Sequence, residues 1–164
     1  MAKKHSSKKD HADVLTIPPL IPGTAIGIGW LLDRYALAWP VPGNAAAQAV
    51  YANIAVMLGG LAFTVFAVSL WPFWKTRQNP EPHTPTNALY TSGIYRHSRN
   101  PIYLAFVITQ MAVGLFWSNA WILLLLPATI AILHYGIIKP EEAYLLRLFG
   151  DDYRQYIQQV RRWL

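Results

Sequence analysis

Four apolar runs alternate with polar segments along the chain, at residues 20–38, 47–70, 101–117 and 120–138. Each is close to the roughly 20 residues that an α-helix needs to cross a bilayer, so the pattern predicts four membrane spans. The first run is the most interrupted. Pro18, Pro19 and Pro22 crowd its start, and Asp33 and Arg34 lie near its end. Prolines suit a helix N-terminus, where a missing N–H costs little, and charged side chains near a span end reach headgroups or water. Only Ser118 and Asn119 separate the third and fourth runs, which predicts a tight helical hairpin. Beyond Ile138 the pattern changes. Pro140 opens a new helical turn, Glu141 and Glu142 favour its positive end, and Gly150 closes it. Tyr153, Tyr156, Ile157 and Val160 then recur at helical spacing. That is the mark of an amphipathic helix lying on the inner membrane surface or on the protein itself. The expected fold class is an all-α polytopic membrane helical bundle: about four transmembrane helices plus a C-terminal cytoplasmic amphipathic helix.

Composition agrees with lipid as the main solvent. Of the 164 residues, 54% are hydrophobic and 13% charged, where a soluble domain carries about 25% charged residues. The length fits a single membrane domain spanning residues 1–164. Trp39, Trp71, Trp74, Trp117 and Trp121 stand at span ends, as an aromatic belt requires. The absence of cysteine excludes thiolate metal sites, disulfides and a cysteine nucleophile, and no metal site is expected. Residues 1–13 form a basic tail that resembles the start of a signal peptide. The apolar run after it contains three prolines and no small-residue cleavage site, so a retained first span is expected. Gly59 and Gly60 in the second span, with Gly23, Gly27 and Gly29 in the first, permit close helix packing, most simply within one protomer.

Charge sets the sidedness. Of the fourteen Lys and Arg residues, only Arg34 falls between the first and second spans, and none falls between the third and fourth. The other thirteen lie before the first span, between the second and third, or after the fourth. The positive-inside rule therefore places both termini and the 79–100 segment in the cytoplasm. The net charge of +6 tracks topology rather than one amphipathic face. Anionic membrane lipids, and not nucleic acid, are the expected electrostatic partner.

Two cytoplasmic segments are richer than topology demands. Residues 79–103, NPEPHTPTNALYTSGIYRHSRNPIY, are dense in Pro, Thr, Asn, Tyr, His and Arg. A connector of this length is usually functional or disordered, and its aromatic content argues against disorder. It could also simply rest on headgroups. Residues 139–164 place two carboxylates at the end of a membrane helix, which is expensive unless they are paired, functional or facing the cytoplasm. The hairpin of spans three and four returns Asn100-Pro101 and Lys139–Glu142 to one depth, so Tyr, Arg and Asn from one segment can meet Glu from the other. Such a site suits a cationic ligand: a carboxylate holds an amino group, and tyrosine faces attract a sulfonium.

The stretches PHTPTNALYTSGIYRHSRNPIYLA and EEAYLLRLFGDDYRQYIQQVRRWL, in this order across one hairpin, resemble the isoprenylcysteine carboxyl methyltransferase and phospholipid methyltransferase superfamily. The similarity covers the chain from about residue 79 onward. It implies an integral membrane enzyme that uses S-adenosylmethionine. It further implies a cofactor site in which Asn87, Ala88, Leu89 and Tyr90 contribute largely backbone, and Tyr95 packs on the cofactor. The Asn100-Pro101-Ile102-Tyr103 turn holds it, and Glu141 binds its polar part. Arg96 and Arg99 are adjacent candidates, and His83 and His97 are candidate bases. Two departures bear on the acceptor. Eukaryotic prenylcysteine enzymes of this superfamily have His where Asn100 stands, and an Arg linked to substrate where Ile137 stands. The acceptor class, lipophilic and entering from the inner leaflet, is therefore open among carboxylate, amine and thiol. A sterol-type membrane reductase using NADPH and a non-catalytic membrane scaffold are the competing readings. Methyl transfer from a sulfonium requires mainly in-line alignment and exclusion of water, with no protein nucleophile.

Overall fold

The computed structural model describes residues 12, 14–77 and 88–164, and these form helices joined by short turns. The order is α1 (Leu20–Tyr35), α2 (Ala45–Thr76), a 3-10 turn (Gly93–Arg96), α3 (Pro101–Phe116), α4 (Ala120–Leu124), α5 (Leu126–Leu133), a π-turn (His134–Ile138), α6 (Lys139–Phe149) and α7 (Asp151–Gln159). Two helical stretches, Ala45–Thr76 and Ala120–Phe149, are long and apolar enough to cross a membrane; Pro101–Phe116 is apolar but shorter.

Helix α2 has 32 residues, about 48 Å at 1.5 Å per residue, so it outruns a hydrocarbon core of about 30 Å. Its start is fixed by Asn44, whose side-chain oxygen accepts from the Ala47 N–H at 3.0 Å. It ends at Arg77, in the left-handed region with φ 55°. Helix α2 packs chiefly along α3, while α1 lies against α3, α4 and α5. Of the five glycines expected to allow close packing, only Gly29 does so. A Cβ there would stand 2.6 Å from Ile122 Cγ1, whereas Gly23, Gly27, Gly59 and Gly60 face open space. Gly114 fills the equivalent role between α3 and α4, where a Cβ would meet Leu123 Cδ2 at 2.5 Å.

The α1–α2 connection and the α3–α4 turn are tied together at one end of the molecule. Val41 N–H donates to the Ser118 carbonyl at 3.0 Å and Ala120 N–H to the Trp39 carbonyl at 2.9 Å. The buried Asn119 amide donates to the Gly29 carbonyl at 3.2 Å. Trp39 and Trp121 meet edge to face at 5.0 Å between ring centroids. Asp33, one of the charges that complicated the first run, accepts from the Trp39 N–H at 2.9 Å and so closes this connection.

The last long helical stretch departs from the expected pattern. Pro140 stands in the first turn of α6, as its position predicts, but α6 runs on directly from a helical path that begins at Ala120. Proline cannot donate to the carbonyl four residues back, and its ring crowds that carbonyl. The π-turn over His134–Ile138, immediately before it, relieves the crowding. The Gly136 carbonyl, four residues before Pro140, instead accepts from the Leu15 N–H at 2.9 Å. A Cβ at Gly136 would stand 3.2 Å from Leu15 Cβ, so glycine admits this approach. The N-terminal segment is thereby held against the helix, with Val14 buried beside Tyr103, Ile137 and Tyr144. Gly150 then breaks the path at φ 53°, and α7 folds back. Tyr153, Tyr156 and Val160 are buried against Leu89, Leu145, Leu146 and Phe149, so α7 packs on the protein; Ile157, expected on the same face, is exposed.

Candidate functional site

At the opposite end of the helices from the tied turns lies a cavity of about 260 Å³. Its walls come from five places in the chain: residues 17–19, the last turns of α2, the segment 88–103, α6 and α7. Ala88, Leu89, Tyr90, Tyr95, Asn100, Pro101, Ile102, Tyr103 and Glu141 all line it. Asn87 and His83 fall outside the described residues. Arg96 and His97 are exposed; Arg96 faces a separate polar groove with Asp152 and Gln155.

Hydrogen bonds and ring contacts hold the polar lining side chains in place. The Tyr103 hydroxyl donates to Glu141 Oε2 at 2.6 Å, linking α3 to α6 across the cavity. Burial pushes the Glu141 carboxyl up to about 7; the Tyr103 hydrogen bond works against that shift, and the neighbouring Glu142 charge adds to it. Tyr95 donates from its hydroxyl to the Ser69 carbonyl at 3.2 Å, fastening the 3-10 turn to α2. Burial and then the Glu141 charge hold the Tyr95 phenol well above its usual range, so it remains a neutral hydrogen-bond donor. The Tyr156 hydroxyl donates to the Tyr95 carbonyl at 2.6 Å and so joins α7 to the same turn. Tyr90 hydrogen-bonds Thr76 through its hydroxyl and stacks on Phe73 with centroids 4.6 Å apart.

A charged cluster lies beside these residues. Glu142 accepts from Arg162 Nε at 3.1 Å and Arg162 Nη2 at 2.6 Å, and its Oε1 is 3.2 Å from Arg99 Nη2. The Arg162 Nη1 also reaches His134 Nε2 at 3.2 Å. The backbone follows the same path. Arg99 N–H donates to the Arg161 carbonyl at 3.0 Å, and the Asn100 amide donates to the Arg162 carbonyl at 2.9 Å. Asn100 thus spends its side chain on anchoring the C-terminal segment at the start of α3, although it also borders the cavity.

Several lining residues carried no signal in the sequence. Phe66, Leu70 and Phe73 are ordinary apolar positions of a membrane helix, and residues 17–19 belong to a proline-rich lead-in. Helix α7 supplies Tyr153 and Tyr156, whose spacing marked a helix face without saying what it covers. Glu142 and Arg162 were visible as motif residues, yet their pairing needed the fold. Ile137, where prenylcysteine enzymes place an arginine, is fully buried in the core with Val14 and Leu133.

The cavity has two chemical halves. Glu141, Arg99, Tyr95, Tyr153 and Tyr156 give a polar half, and Phe66, Leu70, Ile102 and Phe106 an apolar one bounded by α2 and α3. An ionisable carboxylate ringed by aromatic faces suits a cationic ligand, and the apolar half suits a lipophilic one.

Known proteins resemble parts of this chain. A stretch of 76 residues is 41% identical to protein-S-isoprenylcysteine O-methyltransferase of Schizosaccharomyces pombe, covering 44% of this chain and 30% of that one. A stretch of 70 residues is 40% identical to methanethiol S-methyltransferase 1 of Bradyrhizobium diazoefficiens, covering 43% of this chain and 24% of the relative. An uncharacterised protein of Haemophilus influenzae is 38% identical over 63 residues, which is its whole length and 38% of this chain. The chain therefore spans less than a third of either named enzyme it matches. No solved structure matches it. The sequence profile of the phospholipid methyltransferase family matches residues 48–152, which takes in most of α2 through the start of α7 and three of the five walls of the cavity. The chain belongs to the phospholipid methyltransferase family.

Proposed function

We propose that the chain is an integral membrane methyltransferase that uses S-adenosylmethionine and acts on a lipophilic acceptor. The observation that carries this reading is the two-part cavity, with the Tyr103–Glu141 pair in its polar half and α2 and α3 side chains in its apolar half. The residues fit the cofactor by charge and shape. Glu141 would hold a cationic amino group or sulfonium, Tyr90 and Tyr95 would offer aromatic faces, and backbone of residues 88–90 would face the nucleoside. When bound, the cofactor supplies an electrophilic methyl group on sulfur.

The remaining work falls to the chain's own residues. Tyr103 fixes the Glu141 carboxylate by donating to Oε2, so the carboxylate has one orientation before any ligand arrives. Phe66, Leu70 and Phe106 exclude water from the apolar half. No side chain is required as a nucleophile. An amine or thiol acceptor would also have to lose a proton. With Ile137 packed in the core, the arginine linked to a prenylcysteine carboxylate has no counterpart at that position, which favours an acceptor of another class.

Topology is part of the proposal. Helices α1, α2 and α3 and the path through α4 and α5 would form four spans. The tied turns would lie outside and the cavity at the cytoplasmic face, with both termini inside. The direct test is calorimetry on purified protein. S-adenosylmethionine and its demethylated product should both bind, and Glu141→Ala should weaken both at least tenfold. Absence of binding to wild-type protein overturns the proposal, and an undiminished Glu141→Ala affinity removes Glu141 from it.

A further inference from the structure

Arg99 carries more hydrogen-bonding capacity than its surroundings use. Its side chain is 8% exposed, and it lines the cavity. Among the described residues only Nη2 has a partner, Glu142 Oε1 at 3.2 Å, while Nε and Nη1 are buried with none. A buried guanidinium with two unsatisfied nitrogens is costly, and native proteins keep few such groups without a reason. Glu142 reaches Arg99 through Nη2 alone and shares its two oxygens with Arg162. The cluster of Arg99, Arg162 and Glu142 therefore holds one more positive than negative charge, and the surplus lies on the cavity side.

The chemistry that completes this arrangement is a planar anion. Guanidinium nitrogens match carboxylate oxygens in spacing and charge. On the same wall, one residue before Glu142, stands the carboxylate of Glu141, which suits a cation. Arg99 and Glu141 line the same cavity and both act on the Tyr153 phenol, and a positive and a negative group so placed fit the two charged ends of an α-amino acid. We infer that Arg99 binds the α-carboxylate of the methyl donor while Glu141 faces its amino group. The inference rests on the cofactor reading above. Arg99 lies among the polar tyrosines, where its charge acts on the phenols of Tyr153 and Tyr156. That position assigns it to the donor rather than to the carboxylate of a lipophilic acceptor.

The test is calorimetry of the full chain in detergent with S-adenosylhomocysteine and with its decarboxylated counterpart, which keeps the adenosine, the thioether and the primary amine. Wild-type protein should bind the first about 10- to 100-fold more tightly than the second. Arg99→Gln should bind both with the weaker affinity, and Arg99→Lys should recover part of the difference. Equal binding of both ligands by wild-type protein overturns the inference while leaving the cofactor reading intact. In that case an arm with a carboxylate-bearing prenylated cysteine analogue shows whether Arg99 serves the acceptor instead. Binding of neither ligand removes the cofactor reading itself. Should Arg99→Gln fail to fold, the two-ligand comparison on wild-type protein decides the question alone.

Discussion

The Glu141 carboxyl controls how stability and ligand binding respond to pH. Its value rises from 4.5 to about 7 in the fold, led by burial. The folded protein therefore keeps a proton that the unfolded chain releases, and stability falls as pH rises from about 4.5 to about 7, then levels off. The loss is of the order of 3 kcal/mol at most, from about 1.4 kcal/mol per unit. Ligand-free protein should accordingly melt at a lower temperature at pH 8 than at pH 5. Glu141→Gln, which resembles the protonated form, should lack this component and melt above wild type at pH 8. A melting temperature for the variant below wild type at pH 8 would count against a buried, unneutralised carboxylate. Binding should run the other way. Affinity for the cationic donor should drop as pH falls below about 7, because the carboxylate is lost. Glu142 has a different task despite being its neighbour. Replacing it with Ala strips Arg162 and the buried Arg99 of their shared partner. A loss of about 3 kcal/mol or more is expected, measured by thermal or denaturant unfolding.

Among the helices, small residues matter only where backbones meet. Gly29→Ala would place a methyl against the Ile122 side chain and backbone. A cost of about 1–3 kcal/mol is expected from overpacking, read as a lower melting temperature in detergent. Gly59→Ala, in open space on α2, should be neutral or mildly stabilising, since Ala is the better helix former. The sequence could not separate these two glycines, because a small residue in an apolar run permits close approach without saying whether a neighbour arrives. The same limit explains Pro140. Composition marks it as a helix start, and only the π-turn before it shows that the helix passes through. The apolar runs were legible because lipid demands about twenty residues regardless of packing. The lining positions Ala88, Leu89 and Tyr90 were legible only through likeness to a family, since nothing in their chemistry sets them apart. Phe66, Leu70 and Phe73 were invisible for the opposite reason: every helix in lipid is covered with such side chains.

For the molecule as a whole, the proposed sidedness can be read directly because the chain has no cysteine. Single replacements at exposed Ala38 and Gln158 should be labelled by an impermeant maleimide from opposite faces of sealed vesicles. Labelling of both from one face would overturn the topology. The tied turns at one end and the charged cluster at the other also divide labour. The hydrogen bonds of Asn119, Trp39 and Val41 clamp the helices far from the cavity. The cavity end is held by the C-terminal segment through Asn100 and Glu142. Three stretches distant in sequence, the N-terminal segment, the 88–103 segment and the tail, meet there and nowhere else among the described residues.

The wide turn at His134–Ile138 sets the clock position of everything beyond it. A π-turn holds one residue more than the α-helical turn it replaces and advances the chain by less per residue, so the extra residue is absorbed locally. An α-helix advances about 100° per residue, and one residue added without such a turn would carry Glu141 out of phase with Tyr103, and Glu142 out of phase with Arg162. Deleting Gly136 should therefore let an ordinary helix re-form with α6 close to its present orientation and keep donor binding, whereas a residue inserted in α5 should span normally yet lose it. That pair of outcomes would separate the dial that aims the two carboxylates from the rod that carries them.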